Sequence, residues 1–262
     1  MSVMQKMREL NLKRILTFMA GIVGIPALVI FSVYHLNQSG FFNISQIEIL
    51  VDGFPGQSLY LKPKIEELDQ AFEVYRGESL WEAELGKASA LMAKYPWVQS
   101  YQISRGWPQT LVVKVKPYEV KMLYLSLNGS LLPVIEDGKL LSAVDTSLAP
   151  DVPILHGGQF GAKPELRKKA VQVLSEIPVE GNFSRKAISE MTFDSRDGFL
   201  ATLVKSGARV KLGEEMISQK SSRLAAVIDY LDSRQMQPKV IDANLSRKIH
   251  VQCDRPKCGA LQ

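Results

Sequence analysis

The chain has 262 residues, 46% hydrophobic and 23% charged, with a formal net charge of +5. That length carries two modest domains with real cores, while so small a charge excludes a nucleic-acid binder. Cys253 and Cys258, six residues end to end in CDRPKC, exclude a disulfide framework, although an oxidising compartment permits a local bridge between them.

Residues 1–14 are too short to fold and read as a cytoplasmic tail. Lys6, Arg8, Lys13 and Arg14 against Glu9 give it 4 − 1 = +3, leaving +2 for the remainder. Residues 15–36 (ILTFMAGIVGIPALVIFSVYHL) contain no Asp, Glu, Lys or Arg, and about 20 such residues in a helix cross a bilayer. Twelve of them are Ile, Leu, Val or Phe, each favouring insertion by roughly 0.3–0.6 kcal/mol near the centre. Pro26 and the glycines are ordinary in a membrane helix. The run exceeds a signal h-region and no A-x-A site follows it, so it predicts an uncleaved anchor with its basic end in the cytoplasm. Thr17, Ala20, Gly21 and Gly24 fall on one helical face, where a second membrane helix can pack closely.

From Phe42 the pattern alternates. Ile47, Ile49 and Val51 share one face of a strand that ends at Asp52-Gly53. Pro63 is expected to open a helix carrying Ile65, Leu68, Phe72 and Tyr75, stopped by Gly77. Ser79 and Glu82 are spaced as a capping box for a second helix, with Trp81, Leu85, Ala88, Met92 and Tyr95 as its buried stripe. Val98 to Arg105 and Thr110 to Lys116 then read as strands joined at Gly106-Trp107-Pro108-Gln109, with Leu111, Val113 and Val115 facing one way. The order is β-α-α-β-β over residues 42–117, two helices on one face of a small sheet.

Residues 118–252 form a second, β-rich domain with two helices, which makes the chain α+β overall. Strands are expected at Lys121–Ser126 and Leu131–Ile135 around Asn128-Gly129, with Lys139 to Leu141 returning after Asp137-Gly138. Pro150 to Pro153 reads as a connection. Leu166, Ala170, Leu174 and Ile177 mark a helix from Pro164. Met191 and Phe193 lie on a strand turning at Asp197-Gly198, and Phe199–Lys205 with Ala208–Leu212 form a hairpin. A long helix over Glu214–Arg234 buries Ile217, Leu224, Ile228 and Leu231. Strands at Lys239–Ala243 and Arg247–Gln252 precede a loose tail, residues 253–262.

Enzyme chemistry finds little support. The three histidines, His35, His156 and His250, are scattered, and G-x-S-x-G, H-E-x-x-H and P-loop motifs are missing from the sequence. HGGQFG (156–161) reads as a loop. Glu66-Glu67 and Glu214-Glu215 read as acids complementing helix N-termini. Asn-x-Ser sequons such as those at Asn43, Asn128, Asn182 and Asn244 suggest a Golgi glycosyltransferase, but the Asp-x-Asp motif of such enzymes is not in the sequence. Neither catalytic, cofactor nor metal residues are expected.

YPWVQSYQISRGWPQTLVVKVKP (95–117) resembles the first periplasmic domain of the bacterial division family FtsQ/DivIB. In that family "PWV" closes the second helix of a POTRA module and "R-x-WP-x-x-L" joins its last two strands. Pro96-Trp97-Val98 and Arg105-Gly106-Trp107-Pro108 with Leu111 fit, with Trp97 and Trp107 read as core. ISEMTFDSRDGFLATLVKSGARVKLG (188–213) is similar to the family's "W-x-L-x-x-x-x-G-x-x-V-x-L-G", with Phe199 for the tryptophan. KSSRLAAVIDYL and KVIDANL (239–245) resemble its following helix and "I-D-L-R-Y" strand, Asn244 and Leu245 standing where the family has Arg and Tyr. The resemblance implies a non-enzymatic scaffold at the division septum, single-pass in the inner membrane with its C-terminal domains periplasmic. It implies FtsB- and FtsL-like bitopic partners and FtsK-, FtsW- and FtsI-like proteins beside them. The alternative is a single-POTRA envelope protein assisting outer-membrane assembly, for which long alternating barrel strands should follow the POTRA.

The last strand, Arg247 to Gln252, is expected at a sheet edge, where unpaired backbone groups offer a template. In the resembled family an FtsB segment adds a strand there. The expected partner surface is Asp242, Asn244, Leu245, Arg247, Lys248, Ile249 and Val251, with Arg247 and Lys248 welcoming an acidic segment.

Overall fold

The structure, a computed structural model, describes residues 22–245 and 248–253. Helix α1 covers residues 22–38, its side chains exposed. Among the described residues no helix is long and apolar enough to cross a membrane. Residues 15–21 of the uncharged run lie outside the described residues, and with them Thr17, Ala20, Gly21 and the tail 1–14. Gly24 is described, and a Cβ there would meet nothing within 4 Å.

The end of α1 is a Schellman motif. Phe41 N–H donates to the Leu36 carbonyl and Gly40 N–H to that of Asn37, both at 3.1 Å. Gly40 takes φ +75°, the left-handed position that glycine fills without strain. Six residues after Gly40 the chain is already in β1 (Gln46–Val51).

The next elements are α2 (Ser58–Phe72), a 3₁₀ turn at Glu73–Tyr75, α3 (Leu85–Met92), β2 (Val98–Gly106) and β3 (Thr110–Pro117). This is the expected β-α-α-β-β order. The sheet runs β1-β3-β2. Ile47, Ile49 and Val51 stand opposite Leu111, Val113 and Val115 in a parallel register, and the three β3 side chains are fully buried.

Two helix starts differ from expectation. The first helix begins at Ser58, so Pro63 lies inside it. Burial of Tyr60 and Leu61 holds the added turn, outweighing the amide that proline lacks. The capping box does not form: Ser79 Oγ is buried without a partner, and α3 begins only at Leu85. Residues 79–83 are instead drawn to the start of the domain, where Asn43 bridges Ser79 and Leu80 N–H donates to the Phe42 carbonyl. Trp81 is consequently 57% exposed, and Trp107, on the β2–β3 turn, 68% exposed. Neither is core. Trp97, at 4%, is. Glu66 and Glu67 fall in the interior of α2, so the helix-terminus reading of that pair does not hold, whereas Glu214 and Glu215 stand directly ahead of Met216, the N-cap of the last helix.

The chain divides into two compact units. The first takes the described residues up to Val51 with Glu66–Lys94 and Tyr101–Val115, and the second takes Asp52–Ile65, Tyr95–Ser100 and the described residues from Lys116 on. In the second, β4 (Met122–Leu125), β5 (Leu131–Val134), β6 (Ile154–His156), β7 (Ile188–Asp194), β8 (Gly198–Leu203), β9 (Arg209–Gly213), β10 (Pro238–Asp242) and β11 (His250–Cys253) make one eight-stranded sheet. Its order is β11-β10-β9-β8-β7-β6-β4-β5. Helices α4 (Gln159–Ala162), α5 (Pro164–Glu176) and α6 (Ile217–Ser233) complete it. The HGGQFG stretch is therefore not a loop: His156 ends β6 and Phe160 is fully buried on α4. Phe199 packs with Met191, Val210, Leu224 and Ile241 in the core, where each large apolar side chain contributes about 1.5–3 kcal/mol.

Buried Arg167 on α5 pairs with no carboxylate among the described residues and donates instead to the carbonyls of Gly138, Phe160 and Gly161. Desolvation holds its pKa below the ordinary arginine value. At the start of this unit Gln57 is also buried; its amide exchanges hydrogen bonds with both backbone groups of Val120, at 2.9 and 3.2 Å.

Candidate partner-binding edge

The two ends of the eight-stranded sheet are treated differently. Past β5 the chain folds back, and Val144 bridges Leu131 while Leu140 bridges Val134, so that edge is covered. At the other end β11 lies outermost and pairs with β10 alone among the described residues. Sequence alternation explains how β11 attaches. Ile249 and Val251 are partly buried against the core, whereas Lys248, His250 and Gln252 are exposed. The strand is antiparallel to β10, with Ile241 opposite Val251 and Asp242 opposite His250, and starts three residues later than the alternation suggests.

Across the outward face, Lys211 of β9, Asp242 of β10 and His250 of β11 stand in one register row. Lys211 also pairs with Asp197 at 2.8 Å. That hydrogen bond is the main reason its ammonium is held above the ordinary lysine value, with the Asp197, Asp242 and Asp194 charges adding to it. Backbone N–H groups of Arg196 and Asp197 lower the Asp194 carboxyl. The row is a charge ladder on a sheet surface, and acid–base chemistry would need a cleft around it.

Of the expected surface, Asp242 is half-buried and accepts the Asn244 N–H at 2.9 Å. Asn244 is exposed and Leu245 is 50% exposed. Lys248, Ile249 and Val251 follow on or just before β11, and Arg247 lies outside the described residues. Sequence reasoning passed over Lys220. Buried on α6, it donates to the Leu212 carbonyl at 2.7 Å and lies 3.4 Å from Asn244 Oδ1, tying β9 to the start of the β10–β11 connection. Desolvation, and secondarily the Arg223 charge, lower its pKa. Gly213 makes this approach possible: at φ +73° it carries no Cβ, and one would overlap Asn244 Oδ1. A lysine at a stripe position of an amphipathic helix was the available signal. Cys253 ends β11 and is disulfide-bonded; the chain's other cysteine, Cys258, lies outside the described residues.

Among the described residues no three of His, Cys, Asp and Glu converge on a metal position. A cavity of about 620 Å³ near the foot of α1 is lined by Asn37, Asn43, Glu78, Glu82, Glu84 and Lys87 among others. It holds no nucleophile paired with a base.

Comparison with known proteins agrees with this architecture. The FtsQ-type POTRA domain matches residues 64–118, and the C-terminal domain of cell division protein FtsQ/DivIB matches residues 124–244. Cell division protein FtsQ of Geotalea daltonii is 25% identical over 260 residues, covering 93% of this chain and 90% of its own length. That of Syntrophotalea carbinolica is 24% identical over 237 residues, covering 88% and 80%. That of Allochromatium vinosum is 29% identical over 158 residues, covering 60% and 58%. With a POTRA module followed by an open β-rich sheet, and both parts matching the same kind of protein in chain order, the chain belongs to the FtsQ/DivIB family of non-enzymatic cell division proteins.

Proposed function

We propose that this chain is an inner-membrane scaffold that recruits and links division proteins at the septum. Residues 15–36 anchor it with the N-terminus in the cytoplasm, and the folded units stand in the periplasm. Thr17, Ala20, Gly21 and Gly24 form the face of the anchor that packs against another membrane helix. The lack of charge across the run and the +3 tail support this topology. Protease added to spheroplasts then digests the chain after Gly40 and spares residues 1–14; full protection, or a mature N-terminus near residue 40, refutes the anchor.

The partner surface is the side of β11 away from β10, and one observation carries this reading: among the described residues the β5 edge of the sheet is covered by returning chain, whereas β11 pairs with β10 alone. A segment of an FtsB-like bitopic partner, with its FtsL-like companion, adds a strand there by backbone pairing, and Lys248 and Arg247 offer charge to an acidic sequence. FtsK-, FtsW- and FtsI-like proteins engage the same scaffold. Asn244 and Leu245 stand where the family has Arg and Tyr, so side-chain anchoring is weaker and the backbone carries more of the recognition. Ile249→Pro and Val251→Pro remove N–H groups on one side of the strand, and His250→Pro and Gln252→Pro those on the other; the outward-facing pair abolishes partner binding in a folded protein, and Leu245→Ala weakens it less. Wild-type affinity in the folded proline variants of both pairs places the interface elsewhere. A fluorescent fusion at midcell supports the division role; uniform envelope fluorescence refutes it.

A further inference from the structure

Three stretches far apart in sequence are tied into one platform at the foot of α1. Gln109, on the β2–β3 turn, donates from Nε2 to the Phe41 carbonyl at 2.8 Å and accepts from Ser45 Oγ at 2.9 Å. Leu80 N–H donates to the Phe42 carbonyl at 2.8 Å. Arg105 of β2 donates to the carbonyls of Leu80 and Ala83, at 2.6 and 3.0 Å. The segments around residues 41–45, 79–83 and 105–109 are thus mutually braced. Phe42 is the hub, 3% exposed. The rings of Phe41, Trp107 and Trp81 lie 5.2, 5.6 and 6.1 Å from its own, centroid to centroid.

The outer three rings are open: Phe41 is 40% exposed, and both tryptophans more than half. A braced cluster of exposed large aromatics on a soluble surface marks an interaction site. Its distance from α1 selects the partner. Phe41 comes five residues after Leu36, where the uncharged run ends. At 1.5 Å per residue that is about 7.5 Å at most along the helix axis. The headgroup layer on each side of a bilayer is about 5–8 Å deep, from 40–45 Å in total less a 30 Å hydrocarbon core. The Schellman turn leaves no slack between helix and platform. With the anchor spanning, the rings fall in the layer where tryptophan concentrates, its apolar body toward the acyl chains and its N–H toward water.

We propose that Phe41, Trp81 and Trp107 form a bilayer-interface contact that seats the foot of the first unit in phospholipid headgroups. The contact rests on the reading of residues 15–36 as a membrane anchor. The test uses the full chain in phosphatidylcholine vesicles, with and without lipid brominated near the headgroup end of its acyl chains, and flotation in alkaline carbonate alongside. Wild-type tryptophan emission falls by about two-fold or more in brominated vesicles, because two of its three indoles sit at that level. In W81F/W107F only buried Trp97 emits, and its emission changes little. Carbonate-resistant flotation with wild-type emission unquenched by bromine but quenched by aqueous iodide overturns the contact, leaves the anchor standing and assigns the platform to a protein partner. Failure to float overturns contact and anchor together.

Discussion

Trp97 offers the sharpest test of the core. Its side chain is 4% exposed, its ring lies 6.3 Å from that of Tyr95, and its carbonyl accepts the Tyr118 N–H at 2.9 Å. Its indole Nε1 is buried without a partner. Two opposing contributions follow. Removing the ring leaves a large cavity, so Trp97→Ala costs about 3–5 kcal/mol. An unpaired buried donor costs about 1–3 kcal/mol, and Trp97→Phe removes that penalty while keeping most of the ring. The phenylalanine variant therefore loses only about 1 kcal/mol or less, a balance of lost area against relieved desolvation. Urea unfolding of the full chain in detergent micelles, followed by far-UV circular dichroism, reads both. Leu127→Ala is the control: its side chain is 92% exposed, and the change costs about 0.5 kcal/mol or less. A Trp97→Ala loss below about 1 kcal/mol, or a Trp97→Phe loss equal to it, refutes the reasoning.

Gln57→Ala strands both backbone groups of Val120 and costs about 2–4 kcal/mol; an unchanged urea midpoint argues that other groups satisfy them. Burial pushes the Tyr60 phenol up to about 12. Between about pH 10 and that value the unfolded chain gives up the proton and the folded chain keeps it, so stability falls as pH rises. Tyr60→Phe removes this loss, and unfolding midpoints of the two proteins diverge with alkalinity or the assignment fails. Lys220 has the opposite sign. Its folded pKa is lowered, so from that lowered value up to about 10.4 the unfolded chain binds more protons and stability rises with pH. Wild type should gain on Lys220→Met across that window; parallel stability curves refute it.

The alternation of Leu111, Val113 and Val115 was enough to find a buried strand, because a half-buried strand writes its period directly into the sequence. Periodicity and turn residues carried the β-α-α-β-β order of the first domain, the family motifs agreed with it, and the terminal alternation of Ile249 and Val251 located the edge. Ser79 and Glu82 misled because a capping box is a local signal, and the bridge to Asn43 with the Phe42 hydrogen bond outcompeted it. Trp81 misled because the helix whose buried stripe it was expected to head begins only at Leu85, and Trp107 because size suggests burial while its place on a turn assigns it no face. β6 was hidden by its three-residue length between proline- and glycine-rich stretches. The Lys220–Asn244 approach needed coordinates, since it joins residues that only the packing of α6 brings together.

The turn at Gly40 makes α1 a shaft rather than a tether. A flexible linker would let α1 rotate and bob without consequence beyond it. Here Gly40 at φ +75° and two crossed hydrogen bonds pass the helix directly into the braced aromatic platform. Adding one residue between Leu36 and Gly40 would turn whatever follows by about 100° and lift it about 1.5 Å, while adding a full turn of residues would restore the bearing and change only the height. The spacing between the last apolar turn and Gly40 is therefore a setting of angle as well as length. In such a chain, single-residue insertions should be more disruptive than insertions of three or four.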